Sequence, residues 1–95
     1  MTDPLAPLRA RFRARVASDR AELERLAGGD RTSPDLRTLV HNLAGAAGTF
    51  GHGPLSTAAM NIDDQMAAGL PADPASLGSL KQRLDEVLLE RPALP

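Results

Sequence analysis

Ninety-five residues suffice for one small domain with a single core and leave little room for a deep active-site cleft. Eleven lysines and arginines against twelve aspartates and glutamates give almost no net charge, and only two aromatic residues, Phe12 and Phe50, are present, so the basic surface and stacking platforms of a nucleic-acid binder are missing. The lack of cysteine excludes disulfides, thiolate chemistry and zinc-finger ligation; no apolar run approaches the roughly 20 residues of a membrane span, and the start Met1-Thr2-Asp3-Pro4 has no basic segment followed by an apolar one, so a cytoplasmic protein is expected.

No stretch alternates as a half-buried strand does, and four helical segments separated by breakers can be read. The first is expected from about Pro4 to about Ala27, with Asp3 as its cap and Leu5, Leu8, Phe12, Val16, Leu23 and Leu26 as its inward stripe, stopped by Gly28-Gly29. Its arginines Arg9, Arg11, Arg13 and Arg15 fall at steps of two, which scatters them around a helix and reads as a solvated face.

A second helix is expected from Ser33-Pro34, a capping serine followed by proline at the first helical position, to about Phe50. Leu36, Leu39, Val40, Leu43, Ala47 and Phe50 form its apolar stripe. Gly51-His52-Gly53-Pro54 reads as a turn with His52 solvated, and Leu55, Ala58, Ala59, Ile62 and Met66 define a third helix ending near Gly69. Asp63 and Asp64 on that helix diverge by about 100° and read as surface solubility. After Leu70-Pro71-Ala72-Asp73-Pro74 the chain resets, and Leu77, Leu80, Leu84, Val87 and Leu88 mark a fourth helix closed by Pro92.

Four amphipathic helices with short links predict an all-α, antiparallel up-down-up-down four-helix bundle, one domain over residues 1–95, able to close its core as a monomer. The stripes contain no pair of His, Cys or carboxylate residues, so no metal or haem site is expected.

His41 points about 150° away from the second helix's apolar stripe, with Gly45 and Gly48 within about 40° of it. Glycine inside a helix costs roughly 0.5–1 kcal/mol against alanine, so two beside one imidazole indicate a surface kept bare for an approaching partner. Neutral imidazole is a nucleophile near neutral pH, and on a convex face without other catalytic groups it can take up a group only from a partner that completes the site. That describes a carrier and not an enzyme.

The run His41-x-Leu43-x-Gly45-Ala46-Ala47-Gly48-x-Phe50-Gly51, followed by Leu55 and Ala58, resembles the histidine-containing phosphotransfer (HPt) domains of multistep two-component phosphorelays. The resemblance implies that His41 takes a phosphoryl group from a receiver-domain aspartate and passes it to another, with response-regulator receivers and a hybrid histidine kinase as partners. It also implies no cofactor in this chain, Mg²⁺ being held by the receiver. Gly45, Gly48 and Ala44 would line the docking surface.

Family members commonly carry lysine three residues after the histidine, where this chain has Ala44. Arg37, one turn before His41, is the basic side chain on this helix placed to support the phosphoryl group instead. The missing lysine also underlies an alternative reading, an adaptor or inhibitor that docks a receiver or kinase without carrying phosphate.

Overall fold

A computed structural model describes residues 3–89, which form four helices and, among the described residues, no strand: α1 (Ala6–Ala27), α2 (Pro34–Thr49), α3 (Gly53–Ala67) and α4 (Pro74–Leu89). Each start reflects local chemistry. The Ser33 hydroxyl accepts from the amides of Asp35 and Leu36 at 3.1 and 3.5 Å, with Pro34 at the first helical position, as the sequence predicts. Asp73 does the same for α4, its carboxylate accepting from the Ser76 amide at 3.0 Å.

The start of α1 differs from expectation. The Asp3 carboxylate accepts from the Leu5 amide at 2.9 Å in a turn just outside the helix, which begins at Ala6. Pro7 gives the reason: in a helix starting at Pro4 its missing N–H would leave the Asp3 carbonyl without its partner, whereas in a helix starting at Ala6 the proline falls in the first turn, where no N–H is needed. Leu5 and Leu8, expected on the inward stripe, are exposed. Leu8 and Leu5 lie one and two turns before Phe12, the first buried residue of the helix.

Helix α2 packs most extensively against α3, and α1 against α4, with α1–α2 and α3–α4 contacts closing the ring. Fully buried Leu23, Leu36, Leu43, Leu55, Ile62, Leu80 and Leu84 fill its centre, and Ala47 and Ala59 let α2 and α3 approach closely. The ladders run antiparallel. Along α1–α4, Arg13 donates to the Val87 and Leu88 carbonyls at 3.2 and 2.8 Å, Arg20 pairs with Asp85 at 2.9 Å, and Glu24 with Lys81 at 3.2 Å. Along α2–α3, Arg37 and His41 meet Asp63, and Ala44 meets Ser56.

Both bundle ends are tied. At one, Ala72 and Arg31 exchange two hydrogen bonds of 2.9 Å that join the α1–α2 and α3–α4 connections. At the other, the Phe12 ring stacks on Phe50 (centroids 4.8 Å) and on His52 (5.0 Å). His52 is therefore not the solvated turn residue the sequence suggests: it is partly buried against Phe12 and occupies the position preceding α3. Phe50, expected on the core stripe, lies past the last turn of α2 at the exposed edge of this stack. Gly51, with φ of +76°, supplies the left-handed residue that turns α2 into α3. Pro92, the expected end of α4, lies outside the described residues.

Candidate functional site

On α2, Val40 and Leu43 face the core while His41 between them projects outward, its side chain 72% exposed. One side of the imidazole is anchored: Nδ1 lies 2.9 Å from Oδ2 of Asp63 on α3. An ionised carboxylate only accepts hydrogen bonds, so the proton of the neutral ring sits on Nδ1 and Nε2 keeps its lone pair. The hydrogen bond from His41 holds the Asp63 carboxyl below its ordinary value despite partial burial, and Arg37, together with the charge His41 carries when its ring is protonated, adds to the effect.

Asp63 is the residue beside His41 that sequence reasoning missed. It reads there as solubilising charge, yet its side chain is only 20% exposed and it accepts from two residues of α2, His41 and Arg37. A signal existed. Asp63 and His41 stand eleven residues on either side of His52, so an antiparallel hairpin folded at the Gly51–Gly53 turn brings them level. Asp63 also lies on the flank of the α3 apolar stripe, whereas Asp64, one residue on, is exposed.

Arg37 lies where its position one turn before His41 puts it, and its Nε is 3.5 Å from Asp63 Oδ1, a long contact on a side chain that is half exposed. The guanidinium thus sits beside the carboxylate, on the Nδ1 side of the ring.

Around Gly45 the surface is open: a Cβ added there would meet nothing within 4 Å. Gly48 is exposed too, but it lies beside α3, where an added Cβ would come 3.5 Å from the Ser56 hydroxyl. That hydroxyl donates to the Ala44 carbonyl at 2.9 Å. Ala44 itself does not line the outer face as expected. It is 8% exposed and belongs to the core, because three residues beyond His41 the helix has rotated toward α3. Met60, exposed on α3 with its sulfur 3.9 Å from Ser56, adds an apolar side chain next to this face.

Among the described residues, no group of three His, Cys, Asp or Glu side chains could hold a metal ion, and no helix is long and apolar enough to cross a membrane. A shallow cleft of about 450 Å³ between α3 and α4 is lined by Pro54, Thr57, Asn61, Ser76, Ser79 and Arg83, with no residue of α2. The site is one anchored imidazole on an open face. That arrangement can accept and release a small group at Nε2.

The Hpt domain family model matches residues 7–90, which takes in all of α2, α3 and α4 and nearly all of α1. Neither the curated proteins nor the solved structures contain a match to the chain.

Proposed function

This chain belongs to the Hpt domain family, whose members are phosphocarriers in two-component signalling, and on that premise we propose that His41 is the residue that carries the phosphoryl group between receiver domains. The observation that supports this reading best is the hydrogen bond from Nδ1 to Asp63, which leaves Nε2 as the free nucleophile on an exposed ring.

In this reading Nε2 attacks the phosphorus of a receiver's phosphoaspartate in line with the departing carboxylate oxygen. The Nε2–P bond forms as the P–O bond breaks, and the aspartate leaves with the electron pair. The second receiver takes the group by the reverse process. Such a transfer needs positioning and charge neutralisation more than covalent help, so the receiver with its Mg²⁺ supplies the electrostatics and this chain supplies the placed imidazole. The open surface at Gly45 admits the receiver, and Gly48 and Met60 flank it. With Ala44 in the place of a lysine, Arg37 is the cation next to the ring; its loose contact with Asp63 leaves it able to turn toward the phosphoryl oxygens.

The test is phosphotransfer from a panel of phosphorylated receiver domains to the wild-type chain and to His41→Gln. The expected result is acid-labile label on the wild type alone, with matching loss from one donor. Equal label on the variant defeats the assignment. Binding of receivers without label on either protein would replace it with the docking adaptor.

A further inference from the structure

Asp63 holds His41 from behind. Its Oδ2 lies 2.9 Å from Nδ1, its side chain is four-fifths buried on a helix that is itself packed against α2, and the ring it touches is largely exposed. The acceptor is therefore fixed while Nε2 remains accessible.

The proton between them governs how a group leaves Nε2. When a P–Nε2 bond breaks, its electron pair returns to the ring. With Nδ1 protonated the departing species is neutral imidazole; without that proton it is imidazolate, a far poorer leaving group. A carboxylate hydrogen-bonded to Nδ1 stabilises the protonated, cationic form of the phosphorylated ring. We propose that Asp63 is a positioning residue that keeps Nδ1 of phosphorylated His41 protonated and so sets how readily the phosphoryl group departs. This rests on the reading of His41 as the phosphorylated residue.

The charges around the ring are few. From α3, Asp63 reaches Nδ1; from α2 itself, Arg37 reaches the same carboxylate through its other oxygen. On α1, which also packs against α2, Asp19, Glu22 and Glu24 pair with Arg15, Arg25 and Arg20, and Glu24 also with Lys81 of α4. Asp63 and Arg37 consequently act in opposite senses: the carboxylate holds the ring proton, and the guanidinium beside it weakens that hold.

The experiment loads the full chain with phosphoramidate, which needs no protein partner, and follows phosphohistidine at position 41 by residue-resolved NMR from pH 5 to pH 9 in the wild type, Asp63→Asn and Asp63→Glu. Asparagine keeps the shape and removes the charge. The expected outcome is a phosphohistidine lifetime about fivefold longer in Asp63→Asn near neutral pH, the factor separating a charge-assisted from a neutral hydrogen bond at an exposed ring. Its pH profile should move to lower pH, and Asp63→Glu should restore much of the wild-type behaviour. Identical lifetimes and pH profiles in wild type and Asp63→Asn, both helical by circular dichroism, would overturn the proposal. A wild type that takes no phosphate on His41 would instead remove the phosphocarrier reading, and this inference with it.

Discussion

Substituting Gly45 separates what the fold wants from what the surface is for. The residue lies in the last third of α2 with nothing within 4 Å of where a Cβ would be, so alanine enters without a clash. Removing a glycine from a helix interior gains about 0.8–1 kcal/mol, and in a domain of this size each 1 kcal/mol moves the melting temperature by roughly 4–8 °C. Gly45→Ala should therefore melt several degrees above the wild type in a thermal scan followed by far-UV circular dichroism. Gly45→Arg, another good helix former on an open face, should keep the fold at least as stable. In the phosphotransfer assay, however, its side chain stands on the surface proposed to receive the receiver domain, and on that proposal transfer to His41 should fall at least about tenfold, the equivalent of losing roughly 1.4 kcal/mol of binding. A lower melting temperature for Gly45→Ala would refute the open environment. Wild-type transfer by Gly45→Arg would refute the use of this surface.

Arg37→Ala should slow phosphorylation of His41 and shorten the phosphohistidine lifetime, since it removes a cation near the phosphoryl group and strengthens the hold of Asp63 on the ring proton; unchanged values for both would leave Arg37 without a role. The Asp63 carboxyl is depressed chiefly by the hydrogen bond from His41, so its contribution to stability is present above its unfolded value of about 3.9 and is lost as pH falls through the lower folded value. Asp63→Asn should accordingly be less stable than wild type near neutral pH in urea melts, with the gap closing as pH falls below the ordinary carboxylate range; a gap independent of pH would contradict this. Arg13→Ala removes the donor to the Val87 and Leu88 carbonyls and should cost about 1–2 kcal/mol, with faster amide hydrogen exchange confined to the last turns of α4.

Much of this bundle is legible in the chain because periodicity and caps are local signals. Ser33-Pro34 marks the start of α2, and the α2 leucine spacing puts His41 outside without reference to any other helix. What escaped depends on contacts between elements. Asp63 looks like ordinary surface charge until α3 folds back against α2, and His52 looks like part of a solvated turn until the Phe12 ring arrives from α1. Ala44 is misplaced for a subtler reason: a residue at the edge of a stripe is buried or exposed according to how closely the next helix approaches, which a helical wheel of α2 alone does not contain.

The ties at the two ends of the bundle determine the tolerance to which the site is built. One residue of helix rises 1.5 Å, and the useful range of an N–H···O hydrogen bond is only about 0.5 Å wide, so an axial slip of α2 past α3 by a fraction of one residue would part His41 from Asp63. The single exposed hydrogen bond between His41 and Asp63 is too weak to resist such sliding. Resistance comes from the Gly51 turn with its aromatic stack at one end, and from the paired hydrogen bonds of Arg31 and Ala72 at the other. The alignment of His41 is thus a property of the frame, and loosening either end should detune the histidine from a distance without touching it.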